Sequence, residues 1–237
     1  MERRTAKQVP PLGGYVLAGG RSSRMGRDKA LLTLAGKPLV EHAVKKLQRL
    51  CAKVSVLSGN SELAAYGQLV PDNLASCGPL GGIEAALLDS EFAWNLILPV
   101  DMPFVPTRLL EDWIYSVLEE RLGDVRVLML SVDAQAYPTL LLIHRDVGPY
   151  LRADLELGRY KVLASLESAA VAIAAERRVK PEHVFWRVQY DDLISQGERN
   201  GDAVWKDETR GCFDWFANLN TPEEFAEAER HGDALDA

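Results

Sequence analysis

The segment Leu17-Ala18-Gly19-Gly20-Arg21-Ser22-Ser23-Arg24-Met25-Gly26-Arg27-Asp28-Lys29 sets two adjacent glycines before four cations, Arg21, Arg24, Arg27 and Lys29, opposed by Asp28 alone. Adjacent glycines let a backbone approach a ligand closely and aim its N–H groups at anionic oxygens. Clustered guanidinium and ammonium groups bind phosphate strongly. The combination reads as a polyphosphate site; the competing reading is a glycine turn with solvated charges. Asp101 follows the apolar run Trp94–Val100, so its carboxylate should emerge at the carboxyl end of a strand, where an open parallel sheet binds its ligands. A carboxylate there, sharing an ion with phosphate oxygens, suits a hard cation such as Mg²⁺. Gly78, Gly81 and Gly82 make either a second close-approach turn with backbone N–H groups open to a ligand or a plain helix start.

Two familiar phosphate loops do not fit. The pattern GxxxxGK[ST] is absent, because Lys29 does not follow a glycine and Ala30 stands where the hydroxyl residue belongs. GxGxxG is absent too, and the second strand ends Val56-Leu57-Ser58 without the acid that holds a ribose. A P-loop ATPase and a dinucleotide dehydrogenase are both disfavoured. His42, His144, His183 and His231 share no ligand spacing, and Cys51, Cys77 and Cys212 form no CxxC pair. Neither a zinc site nor a disulfide framework is indicated.

These residues need a scaffold, and the hydrophobic pattern supplies one. Tyr15–Ala18, Lys53–Ser58, Gln68–Val70 and Trp94–Val100 read as strands, three of them nearly continuous apolar runs that suit burial on both faces. Pro38–Leu50, Gly81–Asp89 and Thr107–Glu120 read as the helices between and after them. The alternation predicts βαβ units and a mostly parallel sheet. In the second half, Val125–Val132 and Tyr137–His144 read as a hairpin forming an antiparallel edge, Leu163–Arg178 as a helix, and Val184–Tyr190 and Phe213–Leu219 as strands. Thr221-Pro222-Glu223-Glu224 carries an N-cap hydroxyl, a proline at the first helical position and a glutamate at the third, predicting a helix from Pro222 to about His231. We expect a single domain over 1–237, with a disordered start at 1–12 and a long loop or insertion at 180–211.

Composition narrows the function classes. The 237 residues carry 27 Lys plus Arg against 34 Asp plus Glu, a net charge of −7, which argues against coating nucleic acid or an anionic membrane. No apolar run approaches the ~20 residues of a spanning helix, and Met1–Gly14 lacks the apolar core of a signal peptide. The expectation is a protein of the reducing cytoplasm.

The loop Leu17–Lys29 has the form LAGGxSxRMGxxK and precedes Gly36-Lys37-Pro38-Leu39. In this it resembles the nucleotidyltransferase loop of the molybdenum cofactor guanylyltransferases, the MobA family. The resemblance continues at Pro71-Asp72-Asn73, Gly78-Pro79-Leu80-Gly81-Gly82, Pro99-Val100-Asp101-Met102-Pro103, Tyr137-Pro138-Thr139 and Asn218-Leu219-Asn220-Thr221-Pro222-Glu223. It implies a Rossmann-like three-layer α/β fold with a mostly parallel, partly mixed sheet. It also implies GMP transfer from GTP to molybdopterin, or to its molybdenum form, with release of pyrophosphate. The cofactor implied is Mg²⁺, with Mn²⁺ able to substitute, and the partners implied are proteins of molybdenum insertion and molybdoenzyme maturation.

By the same resemblance Asp101 is the metal ligand, and Arg24 and Lys29 are fixed charges on the triphosphate. Leu17, Ala18, Gly19, Gly20, Asp72, Gly78 and Gly82 line the nucleotide, while Asn218 and Asn220 lie near the metal and phosphates. Asn220 also precedes a capping box, a sufficient structural reason for it. Where the family presents an asparagine after the second strand, this chain offers Ser58 or Asn60; where it carries an arginine two residues past Gly158, this chain has Tyr160, flanked by Arg159 and Lys161 as acceptor contacts. Phe185, Trp186, Trp205 and Trp215 read as core, subunit interface or a platform for a pterin ring. Rival readings are a molybdopterin cytidylyltransferase, a transferase for another sugar or polyol phosphate, and a non-catalytic GTP-binding accessory protein.

Overall fold

In the computed structural model, residues 10–19, 28–118, 122–132, 135–191 and 215–235 are described. A seven-stranded sheet has the order β5-β4-β1-β6-β8-β7-β9. Its strands are β1 (Leu12–Leu17), β4 (Lys53–Leu57), β5 (Gln68–Val70), β6 (Trp94–Pro99), β7 (Val127–Val132), β8 (Gln135–His144) and β9 (Phe185–Gln189). β1 pairs in parallel with β4 on one side and β6 on the other, whereas β8 runs antiparallel to both β6 and β7. A small hairpin, β2 (Thr33–Leu34) and β3 (Lys37–Pro38), turns through Ala35 and Gly36, both at positive φ.

Alternation along each central strand sorts the interior into two cores. Val16, Leu96, Leu98, Leu128, Leu130, Leu140 and Leu142 face one side, packing with helices α1 (Leu39–Leu50), α3 (Thr107–Leu118) and α6 (Pro222–Arg230). Tyr15, Leu17, Ile97, Val127, Met129, Leu141 and Ile143 face the other, against α2 (Pro79–Asp89), α4 (Gly148–Glu156) and α5 (Val162–Arg177). A sheet apolar on both faces must be covered on both, and three layers follow. The chain winds outward from β1 through β4 and β5, then returns along α2 to place β6 on the far side of β1. That reversal opens a crevice at the carboxyl ends of β1 and β6.

The expected fold class is observed, with local differences. The 127–144 pair is not an edge: β8 lies inside the sheet and β9, parallel to β7, closes it. Trp215–Leu219 is a turn and irregular chain instead of a strand. There the rings of Trp215 and Phe216 pack on Tyr190, and Leu219 spends its N–H on Asp101 O at 3.0 Å. Helix α4 has no counterpart among the expected elements, although Pro149 near its start and Gly158 beyond its end, at φ 74°, punctuate it. β1 begins at Leu12, inside the stretch expected to be frayed, whereas β9 lies within Val184–Tyr190, where a strand was expected. Residues 1–9, Glu120 and 192–214 lie outside the described residues.

The cap before α6 matches the sequence reading. Thr221 Oγ1 accepts from Glu224 N at 3.2 Å, and Glu224 Oε2 accepts from Thr221 N at 2.8 Å. Thr221→Ala removes the first of these bonds and is expected to lower the unfolding free energy by about 1 kcal/mol. The urea midpoint should fall with the slope unchanged.

Candidate active site

Lys29 stands at the start of a short 3₁₀ turn, Lys29–Leu31, that Asp28 caps. Asp28 Oδ1 accepts from Ala30 N at 3.0 Å, which directs the first turn and with it Lys29. Its other oxygen, Oδ2, accepts from Asn60 Nδ2 at 2.6 Å. Asn60 in turn caps the 3₁₀ turn Ser61–Ala65, its Oδ1 accepting from Glu62 N at 3.0 Å. The Asn60 amide is thus engaged in clasping Asp28 to the chain just past the end of β4. Ser58 is buried and its Oγ accepts from Asn60 N at 3.1 Å. A short polar residue ahead of each 3₁₀ turn is the sequence signal for this clasp.

The Lys29 ammonium donates to Asp101 Oδ2 at 2.9 Å and to Asn220 Oδ1 at 2.8 Å. Asp101 is carried there by β6, whose end is fixed on β1 by Val100 N donating to Leu17 O at 3.1 Å. Asn220 is carried there by the Leu219–Asp101 backbone bond and by the capping box behind it. Lys29 and Asp101 retain only 16% and 25% side-chain exposure, so their attraction is less screened than on an open surface. Asn218 contributes its carbonyl, which accepts from Asn220 Nδ2 at 3.5 Å.

Leu17, the last residue of β1, and Ala18 just after it are buried, and Ala18 N donates to Leu57 O at 3.3 Å, so that N–H is spent on the neighbouring strand. Gly19 is exposed next to it; Gly20, Arg21, Arg24 and Arg27 lie outside the described residues. A second group gathers at the start of α2. Gly78, the N-cap, has φ 63° and ψ −154°, a conformation only glycine adopts readily. A Cβ on Gly81 would lie 3.1 Å from Asp72 Oδ2, so glycine there is what lets the carboxylate rest on the helix's first turn. Gly82 is buried beside Leu17. Arg159 and Lys161 sit exposed on the α4–α5 turn, Arg159 paired with Asp154 at 3.1 Å.

Phe185, Trp186 and Trp215 are half-buried. Trp186 and Trp215 pack against one core and Phe185 against the other, while Trp205 is outside the described residues. No group of three or more His, Cys, Asp or Glu fit to hold a metal occurs among the described residues.

This geometry, a glycine-rich strand end with a lysine, a carboxylate and an amide converging on it, accompanies a family match. Residues 14–174 match the model of the MobA-like NTP transferase domain. The chain belongs to this family. It is a nucleotidyltransferase by that membership, as the motif blocks imply. A molybdenum cofactor guanylyltransferase of Vibrio atlanticus is 33% identical over 217 residues, 90% of this chain and 92% of its own. One from Vibrio campbellii is 30% identical over 216 residues, with 90% and 92% covered. Among solved structures, the molybdopterin-guanine dinucleotide biosynthesis protein A of Archaeoglobus fulgidus superposes with a TM-score of 0.65 at 21% identity, covering 94% of this chain and 100% of that one. That likeness establishes the fold.

Asp72 carries an electrostatic cost. Burial raises its carboxyl above the ordinary aspartate range, and the negative charge of Glu84 adds to the rise. A folded-state pKa above the unfolded one means that ionised Asp72 opposes folding at neutral pH. Asp72→Asn should therefore be more stable than the parent at pH 7. The gain should fade as the pH falls through the raised folded-state pKa and vanish below the ordinary aspartate value. Urea titrations across pH 3–8 would read this; a gain that persists in acid would contradict it.

Proposed function

We propose that this chain transfers GMP from GTP to molybdopterin, releasing pyrophosphate. The observation that carries the reading is the meeting of Lys29, Asp101 and Asn220 at the carboxyl end of the sheet. The two relatives from Vibrio, similar to the chain across 90% of its length, carry the acceptor and the base.

The residues fit a divalent cation. Asp101 Oδ2 and Asn220 Oδ1 are both hard oxygen donors, and each lies within 2.9 Å of the Lys29 ammonium, so the two stand close enough together to share an ion. One carboxylate plus a neutral oxygen is a typical protein share for Mg²⁺, the remaining ligands being phosphate oxygens and water. When bound, Mg²⁺ would neutralise charge on the α-phosphate and on departing pyrophosphate.

In this reading the chain's own groups bind and orient. Lys29, with Arg24, holds the triphosphate oxygens and steadies the leaving group. Gly19, Gly20 and the start of α2, from Gly78 to Gly82, let the nucleotide come close to the backbone. Asp72 contacts the nucleotide. Arg159 and Lys161 meet the acceptor's phosphate from the α4–α5 turn. An oxygen of that phosphate bonds to the α-phosphorus while the bond to the β-phosphate oxygen breaks, so pyrophosphate leaves with the electron pair. The nucleophile is already an anion and needs no general base. We take residues 1–237 as one nucleotidyltransferase domain, acting in the cytoplasm and passing product to molybdenum-insertion and molybdoenzyme maturation proteins. Among the described residues, no helix is long and apolar enough to cross a membrane.

Pyrophosphate release with Mg²⁺ and molybdopterin, measured separately with GTP, CTP, ATP and UTP, tests the reading. GTP should support the fastest turnover; preference for CTP would make the chain a cytidylyltransferase, and nucleotide binding without pyrophosphate an accessory protein. Asp101→Ala should lower kcat by roughly 10²-fold or more.

A further inference from the structure

Helix α2 is apolar where it is buried, with Leu80, Gly81, Gly82, Ile83, Ala85, Ala86 and Leu87, and yet Glu84 lies in its middle with 0% exposure. A carboxylate so placed is costly unless it is paired and hydrogen-bonded. Its partners come from two directions. Asn73 Nδ2 donates to Glu84 Oε2 at 3.0 Å, and the Arg152 guanidinium of α4 stands 3.4 Å from Oε1. Arg152 also reaches Glu156 at 3.4 Å.

Asn73 is the neighbour of Asp72. The connection from β5 to α2 exposes Pro71, Asp72, Asn73, Ala75 and Ser76, leaving Cys77 as its buried residue. Its apolar anchors, Leu74 and Cys77, come after Asn73, so the exposed stretch 71–73 has little apolar area to hold its shape. What it has are two touches on the same helix, one turn apart on one face. The Asp72 carboxylate rests on Gly81, and the Asn73 amide is tied to Glu84. The second touch fixes the first, because a loop whose next residue is pinned to position 84 can offer Asp72 only to position 81.

We infer that Asn73 and Glu84 are positioning residues for the transfer reaction, holding Asp72 in place for the nucleotide, with Arg152 anchoring Glu84 from α4. This rests on the reading that Asp72 contacts the nucleotide. A buried ion pair is weak support for stability; here its consequence is the placement of a loop. The rise in the Asp72 pKa, part of which comes from Glu84, agrees with their proximity.

The test is a double-mutant cycle on nucleotide affinity, read by calorimetry with GTP, or with whichever of the four nucleotides stabilises the parent most. Asn73→Ala should weaken binding about fivefold and leave kcat at saturating nucleotide within about twofold. In an Asp72→Asn background the same change should cost less than about twofold, because the residue it positions is already altered. Glu84→Gln, nearly isosteric and still an acceptor for Asn73, keeps that tie and should bind nucleotide within about twofold of the parent. Equal losses in both backgrounds, or no loss in either, would overturn the proposal. The readout is independent of the acceptor, so a failure of pyrophosphate release with molybdopterin leaves it standing.

Discussion

One ammonium group joins three distant parts of the chain. Lys29 Nζ bonds to Asp101, 72 residues away, and to Asn220, 191 residues away. Each partner is delivered by a different device: the capped turn after the glycine loop, the end of β6, and the irregular strap before α6. The contact would be worth little on an open surface, where ion pairs are screened and long side chains lose entropy. It is worth more in a half-enclosed crevice whose walls are the ends of β1 and β6. The parallel pairing of β1 on both sides is what puts those ends level, so the site depends on sheet register before it depends on charge.

Much of this was legible in the residues. Apolar runs of strand length alternating with helical periods required a covered parallel sheet, and the glycine pair followed by lysine marked the carboxyl edge where Lys29 meets Asp101. Thr221-Pro222-Glu223-Glu224 located a helix start to the residue. Other parts were hidden for physical reasons. The order of β7, β8 and β9 depends on long-range pairing, which a local period cannot reveal. Trp215–Leu219 has strand-like composition, but Leu219 bonds a single backbone group of Asp101 and goes on into a cap. Asn60 has the type expected of a nucleotide contact, whereas the structure spends it on Asp28. Residue type told what chemistry was available, and only geometry told where it was used.

The two acids at α2 show how stability and placement diverge. Asp72 lies on the helix start and Glu84 lies inside it, both negative, and the nearer cation, Arg152, serves Glu84. An apolar residue at 84 would suit the core better in isolation. A polar group that must be satisfied, however, admits few loop conformations, and the exposed stretch 71–73 gains order from that restriction. The glycines at 78 and 81 complete the arrangement by allowing backbone angles and approaches that a side chain would forbid.

The lateness of Asn220 in the chain has a bearing on biosynthesis. Domains generally fold from the N-terminal side as they leave the ribosome. The glycine loop, β1, β4 and β6 are available early, so Lys29 and Asp101 can meet while the polypeptide is still growing. Their third companion does not exist until the strap behind β9 has been translated. A nascent chain that stops at β9 therefore holds Lys29 and Asp101 without Asn220, and the three-way contact can close only once residue 220 has been translated.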